Sequence, residues 1–461
     1  MAKVKGRLTF LAAAIAAALL ITIGFYEFES TESATDAVQK EKDPYILKGP
    51  LRQFQFATTE EKSLIHYPLN RSTGFSIAEL LDLCHYGESL HITKDMAIFG
   101  SIAQKTYNYL TTCYPIEIST SQSGRSMGHC SDFVQYIYYA DARLSIEFGA
   151  DTFERKAVTC PRSTFLHGEY ANEPLIKIPG LRNYWMPNLE QIRHEHLWYF
   201  RNVTKVLCKT KIMCEAAQKL MDKEEITNVP AVYMSHSSPD PVTNMDELFG
   251  KKQATKMKEK QNFKTFFHSY GHSGRKSTFA ILDCWTWHHG WPTLTIVGNY
   301  EREMLRKRYG HIPRNWKVYE RVSIKKLREL QAANGIHIAS SMQEGYGHYI
   351  NEARAMGALV LTTDWAPMNE FVKDGESGLL INHEPPKAEV YQGMAPYFIS
   401  PVSVNETGIC DVIKRTLALD VPKRKEMGRK AREAYEFDTR LMISNLETMK
   451  KEAIQYLKGE K

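Results

Sequence analysis

The sequence predicts an α/β protein of two domains, each built on a parallel sheet, with a ligand cleft between them. Between residues 263 and 383, short apolar runs alternate with helix-like segments, as strand–helix–strand units do. A polar, lysine-rich segment over 239–262 separates this region from an earlier one of similar character. The 461 residues and 43% hydrophobic content suffice for two sizeable cores.

The first element is an uncharged run from Leu8 to Tyr26, which follows Lys3, Lys5 and Arg7 and precedes several acidic residues. A helix over this run would be roughly 28 Å long, close to the thickness of the bilayer core. The preceding bases predict that residues 1–26 form a cytoplasmic tail and a signal anchor. We therefore expect a single-pass type II membrane protein of the Golgi or endoplasmic reticulum lumen. A cleaved signal peptide is the alternative.

Residues 27–75 are polar and acidic, which predicts a stem between the membrane and the globular part. Three Asn-x-Ser/Thr sequons, at Asn70, Asn202 and Asn405, and eight cysteines agree with a luminal location. The spacing of the cysteines assigns no pairing, although most of them lie in the N-terminal half. The net charge of +6 is modest and is spread among acids, so nucleic acid is not expected as a partner.

The first domain is predicted over 76–238. A strand within 202–210 runs into a helix over 211–221, and a last strand covers 231–234. The apolar run that begins at Leu181 breaks at Pro187 into a polar loop. The segments 181–190 and 202–210 are the two pieces of this domain expected to be functional.

The second domain is predicted over 263–435, followed by a C-terminal helix over 436–461. Ser323 is expected to cap a helix that continues to Ala333. Six apolar runs are predicted as strands: 265–269, 293–297, 317–319, 336–340, 358–363 and 379–381.

One segment of this domain combines a strand end, a turn and a helix start. Glu344 stands in a glycine-containing turn, Glu352 lies on the helix that follows, and Gly357 ends that helix. Because Glu344 precedes the helix, the two carboxylates can converge on one small molecule instead of forming a charged stripe. An accidental pair of acids on a solvated helix face is the alternative.

These residues resemble the two-glutamate motif of retaining nucleotide-sugar glycosyltransferases with the GT-B architecture, in the family 4-like, or group 1, lineage. Pro367 with Glu370, Asp374-Gly and Gly378-Leu fit the same family. The likeness covers about 263–383 and extends more weakly to Met186-Pro-Asn-Leu-Glu190. It implies two Rossmann-like domains with the donor bound by the second.

The resemblance also implies roles for individual residues. Glu344 would accept hydrogen bonds from hydroxyls of the donor sugar and Glu352 from the ribose hydroxyls. The donor-binding set is completed by the loop and helix start beside these acids and by two glycines of an upstream loop: Gly345, Tyr346, Gly347, His348, Gly271 and Gly274. The glycines permit close backbone approach, and the helix N-terminus offers N–H groups to phosphates.

Arg275 and Lys276 would supply fixed cations beside the diphosphate, so Glu344, Arg275 and Lys276 form the predicted catalytic set. The family separates its two bases, whereas here they are adjacent. One of the two, or His272, could therefore be the base that stabilises the diphosphate.

The acceptor side is predicted from weaker signals, at Asn188, Glu190 and His236. His236 follows a strand at the domain junction and could equally be a structural histidine. His194 and His196 lack the spacing that places two histidines on one helix face, so a solvated helix is favoured over a metal site.

The predicted function is transfer of a sugar from a UDP- or GDP-linked donor to a glycan, protein or lipid acceptor, with retention of configuration. The reaction is expected to need neither cofactor nor metal, because bases and a helix dipole can neutralise the leaving diphosphate and no Asp-x-Asp motif is present. The alternatives are a GT-B nucleotide-sugar epimerase and an inactive sugar-binding scaffold of the secretory pathway.

Overall fold

A computed structural model describes residues 114–119, 127–145, 162–169, 171–188, 190, 192–271, 273–386 and 399–459. They form two six-stranded sheets in which every strand pair is parallel. The predicted anchor (1–26), the stem (27–75) and the start of the first domain lie outside these residues. Within the described part of the chain, no helix has the length and hydropathy needed to cross a bilayer.

The first sheet has the order β2-β1-β3-β4-β5-β6. Its strands are β1 (Ile116–Ser119), β2 (Ala142–Ser145), β3 (Thr164–Gly168), β4 (Arg182–Met186), β5 (Lys205–Cys208) and β6 (Ala231–Tyr233). The predicted strands within 202–210 and 231–234 are therefore present, and a strand precedes Pro187 as well.

The second sheet has the order β12-β11-β10-β7-β8-β9. Its strands are β7 (Asn262–Gly271), β8 (Leu294–Gly298), β9 (Trp316–Tyr319), β10 (Asn334–Ala339), β11 (Leu359–Thr363) and β12 (Gly378–Ile381). All six strands predicted for this domain are confirmed. β8 and β9 lie on one side of β7, and β10, β11 and β12 lie on the other, so the strand order reverses between β7 and β10.

Helices cover both sheets and connect their strands. In chain order they are α1 (Met127–Ala140), α2 (Glu173–Ile176), α3 (Leu197–Asn202), α4 (Lys211–Lys223), α5 (Pro241–Phe249), α6 (Lys251–Glu259), α7 (Thr278–Thr286), α8 (Arg302–Tyr309), α9 (Ile324–Ala333), α10 (His348–Ala355), α11 (Glu406–Ala418) and α12 (Val421–Lys458). The predicted cap is confirmed, because the Ser323 side chain accepts a hydrogen bond from the Lys326 backbone N–H. The segment predicted as a linker holds α5 and α6, which pack against α9 of the second domain.

The chain returns to the first domain through α12. This helix begins at Val421, well before the predicted start at 436, and continues without a break to Lys458. Its last turns bury Met442, Leu446 and Met449 in the core that β1 and α1 build. The first domain therefore takes part of its core from the far end of the sequence.

Two disulfides link described residues, Cys208 to Cys214 and Cys284 to Cys410. The first lies in the first domain. The second joins α7 to α11, so the cross-links are not confined to the N-terminal half.

A substitution at Leu446 tests whether α12 contributes to the core of the first domain. Its side chain is fully buried, so Leu446→Ala should lower the free energy of unfolding by about 2–5 kcal/mol in urea denaturation. Glu447→Ala, at the exposed neighbouring position, should change it by less than about 0.5 kcal/mol. Equal, small losses for both variants would contradict the packing of α12 into this core.

Candidate active site between the two sheets

The predicted catalytic residues meet at the point where the strand order of the second sheet reverses. β7 and β10 are paired neighbours, and the loops that follow them carry Lys276 and Glu344. The Lys276 Nζ donates a hydrogen bond to Glu344 Oε1, and the Ser341 Oγ donates to the same oxygen. An open α/β sheet binds ligands at this position, outside the carboxyl ends of its strands.

Lys276 is held in a confined environment. Its side chain is 15% exposed, and its Nζ lies 3.4 Å from the centroid of the Tyr349 ring. Burial lowers the pKa of Lys276, whereas Glu344 and Glu352 oppose that shift. The ammonium group is thus fixed between a ring and a carboxylate and points toward the loop that begins α10.

Arg275 takes a different direction from its neighbour. It is exposed, and its Nη1 donates to Gln343 Oε1 over 3.3 Å. Both bases therefore contact the 341–344 segment, but Lys276 is the one paired with Glu344. Gly271 ends β7 with φ of 55°, and Gly274 opens the 3-10 turn that carries both bases. His272, the alternative base, lies outside the described residues.

The start of α10 has the form expected of an anion site. Gly347 precedes the helix with φ of 94°, a conformation that favours glycine, and supplies no side-chain cap. The first N–H groups of the helix thus lack a side-chain acceptor at the cap and point toward the loop of Glu344. The helix has its positive dipole end there, beside the Lys276 ammonium.

Glu352 faces a different partner from Glu344. Burial opposes its ionisation, but Arg328 and Gln331 donate to its two oxygens over 2.9–3.3 Å and hold the pKa of Glu352 below its ordinary value. Its side chain keeps 23% exposure. Both motif glutamates are therefore paired with cations, and each retains lone pairs for a ligand hydroxyl.

The first domain presents the predicted acceptor-side residues to the same loop. Asn188 and Glu190 follow β4, and their side chains lie against Gly345. A Cβ atom on Gly345 would lie 2.6 Å from Asn188 Oδ1 and 2.9 Å from Glu190 Oε1. The two domains approach each other this closely because residue 345 has no side chain.

His236 belongs to a buried polar cluster that joins the two domains. Asp132 Oδ1 accepts hydrogen bonds from the Nε2 atoms of His236 and, over 2.6 Å, of His348. Lys209 Nζ lies 2.7 Å from the other oxygen of Asp132. Burial opposes ionisation of Asp132, but His236, Lys209 and His348 outweigh it and hold the pKa of Asp132 well below its ordinary value. Burial lowers the pKa of His236, with Asp132 opposing.

The same cluster offers three metal-ligand atoms within 4.8 Å of one another, from Asp132, His236 and His348. Each histidine also has a hydrogen-bond partner on its Nδ1 atom, which is Tyr136 OH at 3.3 Å for His236 and Ser238 Oγ at 2.8 Å for His348. The Nε2 atoms of both histidines already contact Asp132 Oδ1. With the Lys209 ammonium beside Asp132 as well, we interpret the cluster as a hydrogen-bonded interdomain contact.

Two further contacts cross between the domains. The Tyr346 hydroxyl donates to the His236 carbonyl oxygen over 2.7 Å, and the two rings pack edge to face with centroids 4.5 Å apart. Glu370 accepts hydrogen bonds from the backbone N–H groups of Lys211 and Ile212, at the start of α4. Tyr346, predicted to bind the donor, thus has its hydroxyl occupied by the first domain.

Glu190 is buried, with 8% of its surface exposed, and its Oε2 has no hydrogen-bond partner among the described residues. Burial raises the pKa of Glu190 to about 7; Lys209 and a hydrogen bond from its own backbone N–H oppose this shift, whereas Glu344 and Glu169 add to it. A carboxyl group in this state changes protonation near neutral pH.

Sequence reasoning missed several residues of the site. Lys209 directly follows β5 and Ser341 lies two residues after β10, so their places beyond strand ends were a usable signal. Asp132 lies within α1 and carried no such signal. His194 and His196 lie in a 3-10 turn with no buried residue, which agrees with the favoured prediction of a solvated helix.

The chain is similar to known glycosyltransferases in sequence over one part and in fold over most of its length. Residues 286–393, less than half of the chain, match the family described as Glycosyl transferases group 1. The matched range includes both motif glutamates and begins after Lys276. No curated protein sequence matches the chain significantly.

Among solved structures, a glycosyltransferase from Rickettsia africae ESF-5 superposes with a TM-score of 0.50 and 12% identity, over 75% of this chain and 99% of that one. The chain has the two-domain fold of GT-B glycosyltransferases. Sucrose-phosphate synthase from Thermosynechococcus elongatus has a TM-score of 0.49 and 11% identity, over 72% and 97% of the two chains. A GtfA/B complex superposes with a TM-score of 0.49 and 14% sequence identity, over 66% of this chain and 59% of that one. Together, the family match and the GT-B fold support a glycosyltransferase.

A substitution at Gly345 tests the close contact between the two domains across the GT-B cleft. Gly345→Ala places a methyl group against Asn188 and Glu190, and should lower the free energy of unfolding by about 1–3 kcal/mol in urea. Gly290→Ala, where a Cβ atom meets nothing within 4 Å, should have a much smaller effect. Adding Asn188→Ala to Gly345→Ala should restore part of the loss. Equal effects of the two glycine substitutions would show that the domains do not make this contact.

The raised pKa of Glu190 predicts that the free energy of unfolding depends on pH. The rise from the ordinary pKa of 4.5 to about 7 means that ionising Glu190 costs the folded state up to about 3 kcal/mol. This cost is absent below pH 4.5, grows between pH 4.5 and 7, and is constant above. Glu190→Gln should therefore gain stability over wild type between pH 5 and pH 8 in urea titrations. Glu195→Gln, whose side chain is 67% exposed, should show no such change. If the free energies of unfolding of Glu190→Gln and wild type differ by the same amount at pH 5 and at pH 8, the prediction is wrong.

Proposed function

We propose that this protein is a retaining glycosyltransferase that moves a hexosyl group from a UDP- or GDP-linked donor to a glycan, protein or lipid acceptor. The observation that carries the proposal is the Lys276–Glu344 pair beside the uncapped start of α10, at the strand-order reversal of the second sheet. The site offers carboxylates for sugar and ribose hydroxyls and positive charge for a diphosphate in one place. The family match over 286–393 supports the same reaction.

The chemistry follows from where charge develops. As the bond between the sugar and the diphosphate breaks, negative charge grows on the leaving oxygen. Lys276, Arg275 and the N–H groups of α10 are the donors that would stabilise it, with fixed groups worth several kcal/mol in a site that excludes water. This set supports a reaction without a metal or another cofactor. Retention is proposed from the two-glutamate motif that the chain shares with retaining enzymes.

We also propose a membrane-anchored, luminal protein of the Golgi or endoplasmic reticulum. The uncharged run of 8–26 with its preceding bases and the three sequons support this location. The two disulfides add to that support, because such bonds persist in oxidising compartments.

Nucleotide binding tests the donor site directly. UDP or GDP at one hundred times its Kd should stabilise wild type by about 2.7 kcal/mol in thermal unfolding. Glu352→Gln should weaken this binding about 5- to 100-fold, because the ribose would lose a charge-assisted hydrogen bond. Each variant is compared with its own unliganded form, since the change also removes a partner of Arg328. Glu433→Gln, exposed on α12, is the matched control.

Turnover separates the enzyme from its alternatives. Wild type should release UDP or GDP from at least one nucleotide sugar, and Glu344→Gln should lose most of that activity while remaining folded. Absence of turnover with every UDP- and GDP-sugar tested would reject the enzyme. Binding without turnover would favour the scaffold, and a changed sugar still attached to its nucleotide would favour the epimerase.

A further inference from the structure

A cavity lies at the opposite end of α10 from the candidate donor site, near the edge of the second sheet where β7 begins. Helices α5 and α6 form one wall, and the first turns of α12 form the other. We propose that this cavity binds a small molecule that carries a phosphate group. The inference goes beyond the proposed glycosyl transfer, because the cavity shares no residue with the Lys276–Glu344 site.

The cavity has the size of a small-molecule site. Its volume is about 630 Å³, within the range of roughly 300–1,000 Å³ that is usual for ligand pockets. Ala254, Phe263 and Met356 line it and are buried, so the core fixes part of its wall. A concave site of this size fits a small molecule better than a membrane surface or a long polyanion.

The two helices that face each other across the cavity are strongly basic. α6 has four lysines and one acid, and the first twelve residues of α12 have six bases and one acid. The whole chain has a net charge of only +6, so this surface concentrates positive charge. The bases that line the cavity recur at helical spacing, which places each set on one face of its helix. They are Lys251 and Lys258 on α6 and Lys425, Arg429 and Arg432 on α12.

The two arginines already have acidic partners. Each contacts two carboxylates, which belong to Glu426 and Glu433 for Arg429 and to Asp240 and Glu436 for Arg432. Their charges are therefore balanced within the protein. Binding of an anion would depend on the lysines.

The three lysines lack acidic partners. The ammonium groups of Lys251 and Lys425 make no ion pair or hydrogen bond with any residue that the structure describes. The Lys258 ammonium donates to two neutral acceptors, the Met356 carbonyl oxygen and, over 3.0 Å, Gln261 Oε1. Three cations without a carboxylate thus line one cavity.

Lys258 is the most enclosed of the three. Burial lowers the pKa of Lys258 to about 8, and Arg432 adds to this shift while Asp240 opposes it. An anion bound beside Lys258 would favour its charged form and would gain a hydrogen bond from a partly desolvated ammonium group.

Two acids, Asp246 and Glu259, also line the cavity. Carboxylates accept the protons of hydroxyl groups, whereas lysine ammonium groups bind phosphate oxygens as point charges. The set therefore suits a ligand in which hydroxyl groups accompany the phosphate, such as a phosphorylated sugar or polyol.

Calorimetric titration of the full chain tests the site, with glucose 6-phosphate, glycerol 3-phosphate and inorganic phosphate as probes. At least one probe should bind with a Kd of about 1 mM or less. Glucose, which lacks the phosphate, should bind at least about 10-fold more weakly than glucose 6-phosphate. Lys258→Met should weaken binding of the phosphate probe about 10- to 100-fold, because a charge-assisted hydrogen bond is lost.

Three further variants locate the binding. Thr255→Trp fills the cavity without removing a charge, so it should abolish binding even if Lys258→Met does not fold. Lys256→Met removes an exposed lysine of α6 that does not line the cavity, and it should bind as wild type does. Lys276→Met alters the donor site and should also leave this binding unchanged.

The outcomes distinguish this site from the donor site. Binding that Lys258→Met or Thr255→Trp leaves at the wild-type level overturns the proposal, as does absence of binding by all three phosphate probes. Weakening by Lys276→Met alone would place the phosphate in the donor site, and equal weakening by Lys256→Met and Lys258→Met would indicate unspecific attraction to a basic surface. Either result overturns the proposal. Because none of these measurements requires turnover, failure of the proposed glycosyl transfer would leave the test intact.

Discussion

The candidate site depends on the pairing of β7 with β10. These two strands are neighbours in space although the chain places β8 and β9 between them. The loops that follow them therefore leave the sheet side by side, which brings Lys276 to Glu344 across 68 residues of sequence. A crevice opens at that point because the chain departs to opposite sides of the sheet. The helix dipole of α10 and the cation of Lys276 then act on the same small volume.

The second constraint is the polar contact between the domains. Asp132 accepts hydrogen bonds from histidines of both domains, and Lys209 supplies the charge that balances it. Such a network tolerates little displacement, because a separated member would leave a buried charge or donor without a partner. It therefore defines one relative position of the two domains, the one in which Glu190 faces Gly345.

Glu190 shows how a buried acid lowers the stability of this fold near neutral pH. An isosteric amide would serve the folded state better at neutral pH, since it carries no charge to bury. A carboxyl group in this position costs stability, because burial opposes its ionisation. Glu352 differs from it, because that acid keeps 23% of its side chain exposed and has Arg328 to favour its ionised form.

The sequence by itself determined the architecture of the second domain and the place of its donor motif. The pattern of apolar runs, the helix caps and the turn residues are local signals. They predicted six strands, the Ser323 cap and the turn before α10. Only the tertiary structure decided that Lys276 meets Glu344 while Arg275 turns to Gln343, because the directions of adjacent side chains depend on the 3-10 turn that carries them. It also decided that Asp132 and Lys209 stand behind His236, and that α12 completes the core of the first domain. These contacts join residues far apart in the sequence, and local periodicity carries no record of such partners.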